Sequence, residues 1–256
     1  MSTPLLIDCG NTRVKAALLV NHELTVLPAL RSDDPEGFDD WAELIRRHDP
    51  ERAVISNVAG GEMAAKLTQT CSERWQVTAE FVEPTRTFAG MTTRYEHPGK
   101  LGVDRWLAAL GAWHVHHRAV AVVDVGTALT LDVVDASGVH HGGLIAPGLE
   151  LMARALTHNT AQLQADGCAP VNGLALNTQE AIALGCREAV LGLLARAREL
   201  VATVAPDCDW YLTGGGGEAL VIGAENQKQP GLGGLNFEFE PYLVLAGLKV
   251  WVEHNS

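Results

Sequence analysis

The chain has 256 residues, 47% of them hydrophobic, and a net charge of −12 from 19 basic and 31 acidic side chains. Such a surface repels nucleic acid and anionic membrane, so an anionic ligand has to be held by local donors. Five scattered cysteines, Cys9, Cys71, Cys168, Cys186 and Cys208, contain no Cys-x-x-Cys pair, which argues against a disulfide framework or a zinc site and for buried thiols in a reducing compartment.

The N-terminus has no basic leader and no stretch approaches 18 uninterrupted apolar residues, so a soluble, cytoplasmic protein is expected. The first apolar strand, Leu5-Leu6-Ile7, enters Asp8-Cys9-Gly10-Asn11-Thr12. Val14, Ala16, Leu18 and Val20 then alternate along a second strand, which turns at Asn21-His22-Glu23 into a third through Leu24 and Val26. An amphipathic helix is predicted over 39–48, a buried strand over 53–58 and a helix over 61–69. The segment 87–101, with two glycines and a proline among polar residues, reads as a loop. It ends in Gly102-Val103-Asp104-Arg105, after which Trp106, Leu107, Leu110 and Trp113 fall at helical spacing, so Asp104 and Arg105 stand at a helix start.

The opening pattern then returns. Ala121-Val122-Val123 enters Asp124-Val125-Gly126-Thr127, followed by Leu129, Leu131 and Val133, a turn at Ser137-Gly138 and a strand resuming at Val139. In both copies a strand end fixes a carboxylate, a glycine lets backbone N–H groups approach an anion, and a threonine hydroxyl can donate to it. Neither a Gly-x-x-x-x-Gly-Lys loop nor a Gly-x-Gly-x-x-Gly fingerprint is present. Two such turns suggest an internal repeat and a two-sided nucleotide clamp. Halves of 1–117 and 118–256 follow, and the lack of a flexible linker suggests that they meet along a tight cleft. Asp132, on the strand after the second turn, is expected to point outward in a structural role.

Gly142 to Gly148 forms a glycine-rich exit into a helix over 149–158. Asn177 or Thr178 caps a long helix ending near Val201. Tyr211-Leu212 leads into Thr213-Gly214-Gly215-Gly216-Gly217, and 241–252 reads as a closing helix. His114, His116 and His117 suit a helix C-terminal turn, and His140-His141 a hairpin strand, so no metal is assigned to either group.

The ordered set of Asp8 to Thr12, Tyr95 to Trp106, Asp124 to Asp132, Gly142 to Gly148, Asn177 to Ile182 and Thr213 to Gly215 resembles the type III pantothenate kinases over almost the whole chain. The resemblance implies an α/β architecture, the duplicated ribonuclease-H-like fold of actin, Hsp70 chaperones and hexokinases, with ATP in an interdomain cleft. It implies a homodimer that moves the γ-phosphoryl of ATP to the primary hydroxyl of pantothenate, the first step of coenzyme A biosynthesis. Asp8 would orient Mg²⁺ through water, while Gly10, Asn11, Thr12 and Lys15 hold phosphate. The continuation Thr12-Arg13-Val14-Lys15 matches a family variant with a lysine after the turn. Asp124 would bind a monovalent cation, potassium or ammonium, and Thr127 would donate to a phosphate.

Asp104 would be the general base, since a hydroxyl acceptor must lose its proton as the phosphoryl arrives; helix capping is the competing role for this residue. Arg105 would pair with the substrate carboxylate through its planar fork. Tyr95, Gly102, Val103 and Thr178 would line the same pocket, and Thr213, Gly214 and Gly215 would admit the adenosine. Two alternatives stay open at this point: another small-molecule kinase of the superfamily, and an actin-like nucleotide-binding regulatory protein.

Overall fold

The computed structural model describes residues 3–158, 173–217 and 236–255, so Cys168 lies outside the described residues. The contacts divide the chain into two units. The first comprises Met1–His117, Ser137–Gly142 and Tyr242–Ser256, and the second Arg118–Ala136 and Gly143–Pro241.

In the first unit, β1 (Pro4–Cys9), β2 (Arg13–Val20) and β3 (Glu23–Val26) form an antiparallel meander, with the short β4 (Leu30–Arg31) also paired to β2. The turn into β3 uses Asn21 and His22, both at positive φ, a conformation suited to a two-residue hairpin and tolerated best by short polar residues such as Asn. Strands β5 (Arg52–Asn57) and β6 (Ala79–Phe81) add in parallel on the other side of β1, giving the order β3-β2-β1-β5-β6. Helix α1 (Pro35–Arg46) begins four residues before its predicted start, because the Asp34 side chain accepts from the Gly37 N–H and Pro35 opens the helix. Helix α2 (Gly61–Thr70) runs on into a π-helical turn at Cys71–Trp75.

One face of this sheet packs Leu5, Ile7, Val14, Ala16 and Leu18 against Phe38, Trp41, Ile45, Leu67 and Trp75. The residues of opposite parity, Leu6, Ala17, Leu19 and Val54, are also buried. Helices α3 (Val103–His116) and, at the chain's end, a second helix over Leu243–His254 pack against each other and contact β5 and β1. A sheet buried on both faces explains why its central strand is apolar from Pro4 to Ile7, up to the carboxylate of Asp8.

The expected loop 87–101 contains more order than its composition suggested. A hairpin of β7 (Thr87–Phe88) and β8 (Met91–Thr93) closes through Ala89-Gly90, and a 3₁₀ turn follows at Pro98–Lys100. Phe88 stacks on Trp251 at 4.5 Å and approaches Trp106 at 5.8 Å, a tertiary support that local propensity does not reveal.

The second unit repeats the first. Strands β9 (Val120–Val125) and β10 (Ala128–Val134) are antiparallel. Beyond β10 lies β11 (Val139–Pro147), which starts in the first unit, where Val139 and His140 pair with β8, and ends in the second. The glycine-rich 142–148 segment is thus mostly strand. After α4 (Leu149–His158) and α5 (Thr178–Ala202), strands β12 (Asp209–Thr213) and β13 (Phe237–Phe239) add in parallel beside β9. The order β11-β10-β9-β12-β13 reproduces β3-β2-β1-β5-β6 strand for strand. Ala121, Val123, Leu129 and Leu131 pack with Val190, Leu194, Ala197 and Trp210 on one face of this sheet.

Asp132 is a correction: it is buried, at 2% exposure, rather than turned outward. A strand's alternation would expose it only if one face of β10 met solvent, and both faces are covered: Leu129, Leu131 and Val133 are buried on one side and Val134 on the other. The closing helix, α6 (Leu243–His254), belongs to the first unit although it ends the chain.

Candidate active site

The first Asp-x-Gly turn is braced from two directions. The Gly10 N–H donates to the Arg13 carbonyl at 3.0 Å, and Ser32 donates its hydroxyl to the Gly10 carbonyl at 2.8 Å and its N–H to the Thr12 carbonyl at 3.0 Å. Asp8 is 9% exposed at the end of β1. Its neighbours in register are Lys15 on β2 and Ser56 on β5, so a carboxylate and an ammonium group rise side by side at the sheet's end. The Lys15 ammonium lies 5.9 Å from the Tyr242 ring centroid. Asn11 and Thr12 are exposed at the tip. Ser32, which the sequence reading missed, carries no local signal because it meets the turn only through the β2–β4 pairing.

The second turn has the same form, with the Gly126 N–H donating to the Ala128 carbonyl at 3.0 Å. Asp124 faces Thr130 across β10 and Thr213 across β12. Two glycines make room for it. Gly214 has φ +88°, and a Cβ there would stand 2.2 Å from Asp124 Oδ1. Gly148 donates its N–H to the Thr127 carbonyl at 2.9 Å, and a Cβ on it would lie 2.1 Å from the Gly126 carbonyl. The structure therefore brings Asp124, Thr213 and Gly214 together, with Thr127 and Gly215 exposed beside them. The Gly216 N–H donates to the Val125 carbonyl at 2.9 Å, which binds the glycine turn to the end of β9.

Four of the residues expected to meet substrate, Gly102 to Arg105, fall at the start of α3. Gly102, not Asp104, is the cap position, and it makes no side-chain cap bond. Asp104 sits in the first helical turn, its Oδ1 accepting from the Arg105 N–H at 2.8 Å. Val103 is buried, Gly102 half-buried, and Arg105 is 8% exposed. The Arg105 guanidinium donates to Tyr95 Oη at 3.1 Å. The Tyr95 ring lies parallel to His140 at 6.0 Å, and His140 Nδ1 is 2.8 Å from Thr93 Oγ1. Tyr95, Gly102, Val103, Asp104 and Arg105 thus form one group in the first unit. Thr178 is the first residue of α5 in the second unit and is exposed, while Asn177 caps that helix by accepting from the Glu180 N–H at 2.9 Å. His117 closes α3 in a left-handed conformation with φ 51°.

Among solved structures, the chain is similar to a Baf-family protein from Campylobacter jejuni, at TM-score 0.60 and 21% identity over 98% of both chains. It is also similar to an activator of 2-hydroxyisocaproyl-CoA dehydratase from Clostridium difficile with bound ADPNP, at TM-score 0.55 and 12% identity over 97% of this chain and 93% of that one. The two sheets of matching strand order, each with a carboxylate turn at its first strand, make a duplicated actin-like α/β fold.

Within that class the sequence comparisons are specific. Residues 4–199 match the type III pantothenate kinase family. A type III pantothenate kinase of Aromatoleum aromaticum is 36% identical over 96% of both chains, and one of Marinomonas is 33% identical over 97% of this chain and 94% of its own. The chain belongs to the type III pantothenate kinase family, a family of phosphotransferases.

Proposed function

We propose that the chain transfers the γ-phosphoryl group of ATP to the primary hydroxyl of pantothenate, the family's step in coenzyme A biosynthesis. One observation supports the choice of base: Asp104 stands in the first turn of α3 without being its cap, next to a buried arginine. The Asp104 Oδ1 accepts the Arg105 N–H at 2.8 Å, which fixes the carboxylate at the helix start. As the new bond forms between the acceptor oxygen and the γ-phosphorus, the bond to the bridging oxygen of ADP breaks, and the hydroxyl proton passes to Asp104. The helix N-terminus favours the ionised carboxylate that accepts it.

Arg105 pairs with the pantothenate carboxylate, with Tyr95, Gly102, Val103 and Thr178 lining the pocket. Gly10, Asn11, Thr12, Lys15 and Thr127 hold phosphate oxygens, and Thr213, Gly214 and Gly215 lie against the adenosine. Among the described residues no three histidine, cysteine or acidic side chains form a group able to hold a metal by themselves. Single carboxylates suit ions that share the phosphates as ligands and keep several waters, as Mg²⁺ does. Asp8 would hold Mg²⁺ through water and Asp124 a monovalent cation, each supplying positive charge to the polyphosphate. No helix among the described residues is long and apolar enough to cross a membrane; a cytoplasmic location is proposed from the family. A homodimer is proposed from the family, to be checked by sedimentation at assay concentration.

The test is direct. Purified protein with ATP, Mg²⁺, K⁺ and pantothenate should yield phosphopantothenate by mass spectrometry. Asp104→Asn should lower kcat roughly 10²-fold or more while leaving the melting temperature and ATP binding unchanged. Turnover within a few-fold of the parent would remove Asp104 as the base.

A further inference from the structure

We infer that Arg86 is a positioning residue for substrate, acting through Tyr95 and Arg105 to fix the carboxylate end of the pocket. Within the segment 94–101 the Arg94 N–H donates to the His140 carbonyl at 2.9 Å, and Lys100 and Leu101 donate to the His97 and Pro98 carbonyls in a turn. One side chain adds to the hold on its entry. Arg86 Nη1 donates to the Thr93 carbonyl at 2.9 Å and to the Tyr95 carbonyl at 2.6 Å, and Nη2 donates to the Glu96 carbonyl at 2.9 Å. The main chain adds a fourth tie, from the Thr93 N–H to the Arg86 carbonyl at 2.9 Å.

Three carbonyls within four residues thereby share one planar guanidinium, a geometry that a lysine ammonium cannot match. Tyr95 is the central residue of the three. Its N–H donates to Thr93 Oγ1 at 3.2 Å, and its hydroxyl accepts from Arg105. A shift of the 93–96 backbone is therefore passed to the guanidinium that would grip the substrate. Misplacement of a binding group by about 1 Å is enough to be read in kinetics. Arg86 and Glu96 are exposed and Tyr95 is half-buried, while Thr93 is buried, so thermal melting is needed beside the kinetics to separate a lost position from a lost fold.

This inference rests on the reading of Arg105 as the carboxylate partner, and the experiment separates the two. Arg86→Met, Arg86→Lys, Arg105→Met and the double Met variant are compared by steady-state kinetics and thermal melting. The expected result is a pantothenate KM raised roughly tenfold in Arg86→Met, with kcat and the KM for ATP within about twofold of the parent. Arg86→Lys should fall between, and the double variant should cost less than the product of the single effects, because both act on one contact. An unchanged pantothenate KM in Arg86→Met beside a raised one in Arg105→Met would overturn the positioning role and leave the pocket standing. An unchanged KM in Arg105→Met would overturn the pocket reading and with it this route. Equal rises in both substrates' KM with a fallen melting temperature would make Arg86 merely structural.

Discussion

At the scale of single residues, the second phosphate turn depends on missing atoms as much as on present ones. Gly214 combines a left-handed φ of +88° with a position where a Cβ would collide with Asp124 Oδ1. Gly214→Ala is expected to push that carboxylate away and to strain the backbone, costing about 2 kcal/mol or more. Nucleotide binding by calorimetry, together with thermal melting, checks it. Parent-like affinity and stability would mean that the turn relaxes freely. Cys9 shows the opposite case, a reactive group made inert within the proposed phosphate turn. Burial first, and the neighbouring Asp8 charge second, push its thiol up to about 12, so it remains protonated beside the phosphate turn and serves as a small apolar filler.

At the scale of elements, α3 carries Asp104 and Arg105, the proposed base and carboxylate partner, and α6 packs against α3. A Cβ on Gly247 of α6 would lie 2.1 Å from the Leu107 carbonyl, and one on Gly111 of α3 would lie 2.5 Å from the Leu243 carbonyl. The two helices touch backbone to backbone, so Gly247→Ala must drive them apart. A loss of about 2–3 kcal/mol is expected in urea unfolding, and a change below 0.5 kcal/mol would show that the contact is slack. Helix α6 is also tied to the first sheet through Glu80, which accepts from Trp251 Nε1 at 3.0 Å and from both nitrogens of the Arg52 fork. Burial alone would raise the Glu80 pKa, but the Trp251 and Arg52 hydrogen bonds and the Arg52 charge outweigh it and bring the value below the ordinary 4.5. The folded form therefore favours the carboxylate, and the stability it contributes is present above the unfolded value and lost as pH falls through the depressed one. Glu80→Gln should melt below the parent at pH 7, with the gap closing toward pH 3; a gap independent of pH would assign the effect to packing.

At the scale of the whole molecule, two sheets of the same strand order each end their first strand in a carboxylate, Asp8 in one and Asp124 in the other. Carboxylates offered to a polyphosphate repel it unless cations intervene. Activity is thus expected to vanish on chelation of Mg²⁺ and to fall in sodium-only buffer, with Asp124→Ala losing the potassium response and ATP use together. Full turnover without K⁺ or NH₄⁺, unchanged by Asp124→Ala, would remove the cation from Asp124. Each sheet buries its own apolar layer, which offsets the self-repulsion of a net charge of −12.

The sequence by itself determined the repeat. Hydrophobic alternation, the turns at Asn21-His22 and Ser137-Gly138 and the two Asp-x-Gly signals are local, and local chemistry sets strand and turn. The helix starting beside Asp104 was legible for the same reason. What only the tertiary structure decided depends on partners distant in the chain. Asp132 is buried because other elements cover both faces of β10, the hairpin within 87–93 survives because Phe88 finds Trp106 and Trp251, and Arg86 gains its role from carbonyls that its own neighbourhood does not predict. The last helix lies in the first unit, against β1 and α3, because closing that sheet's second face needed an apolar helix and the chain's end supplied it.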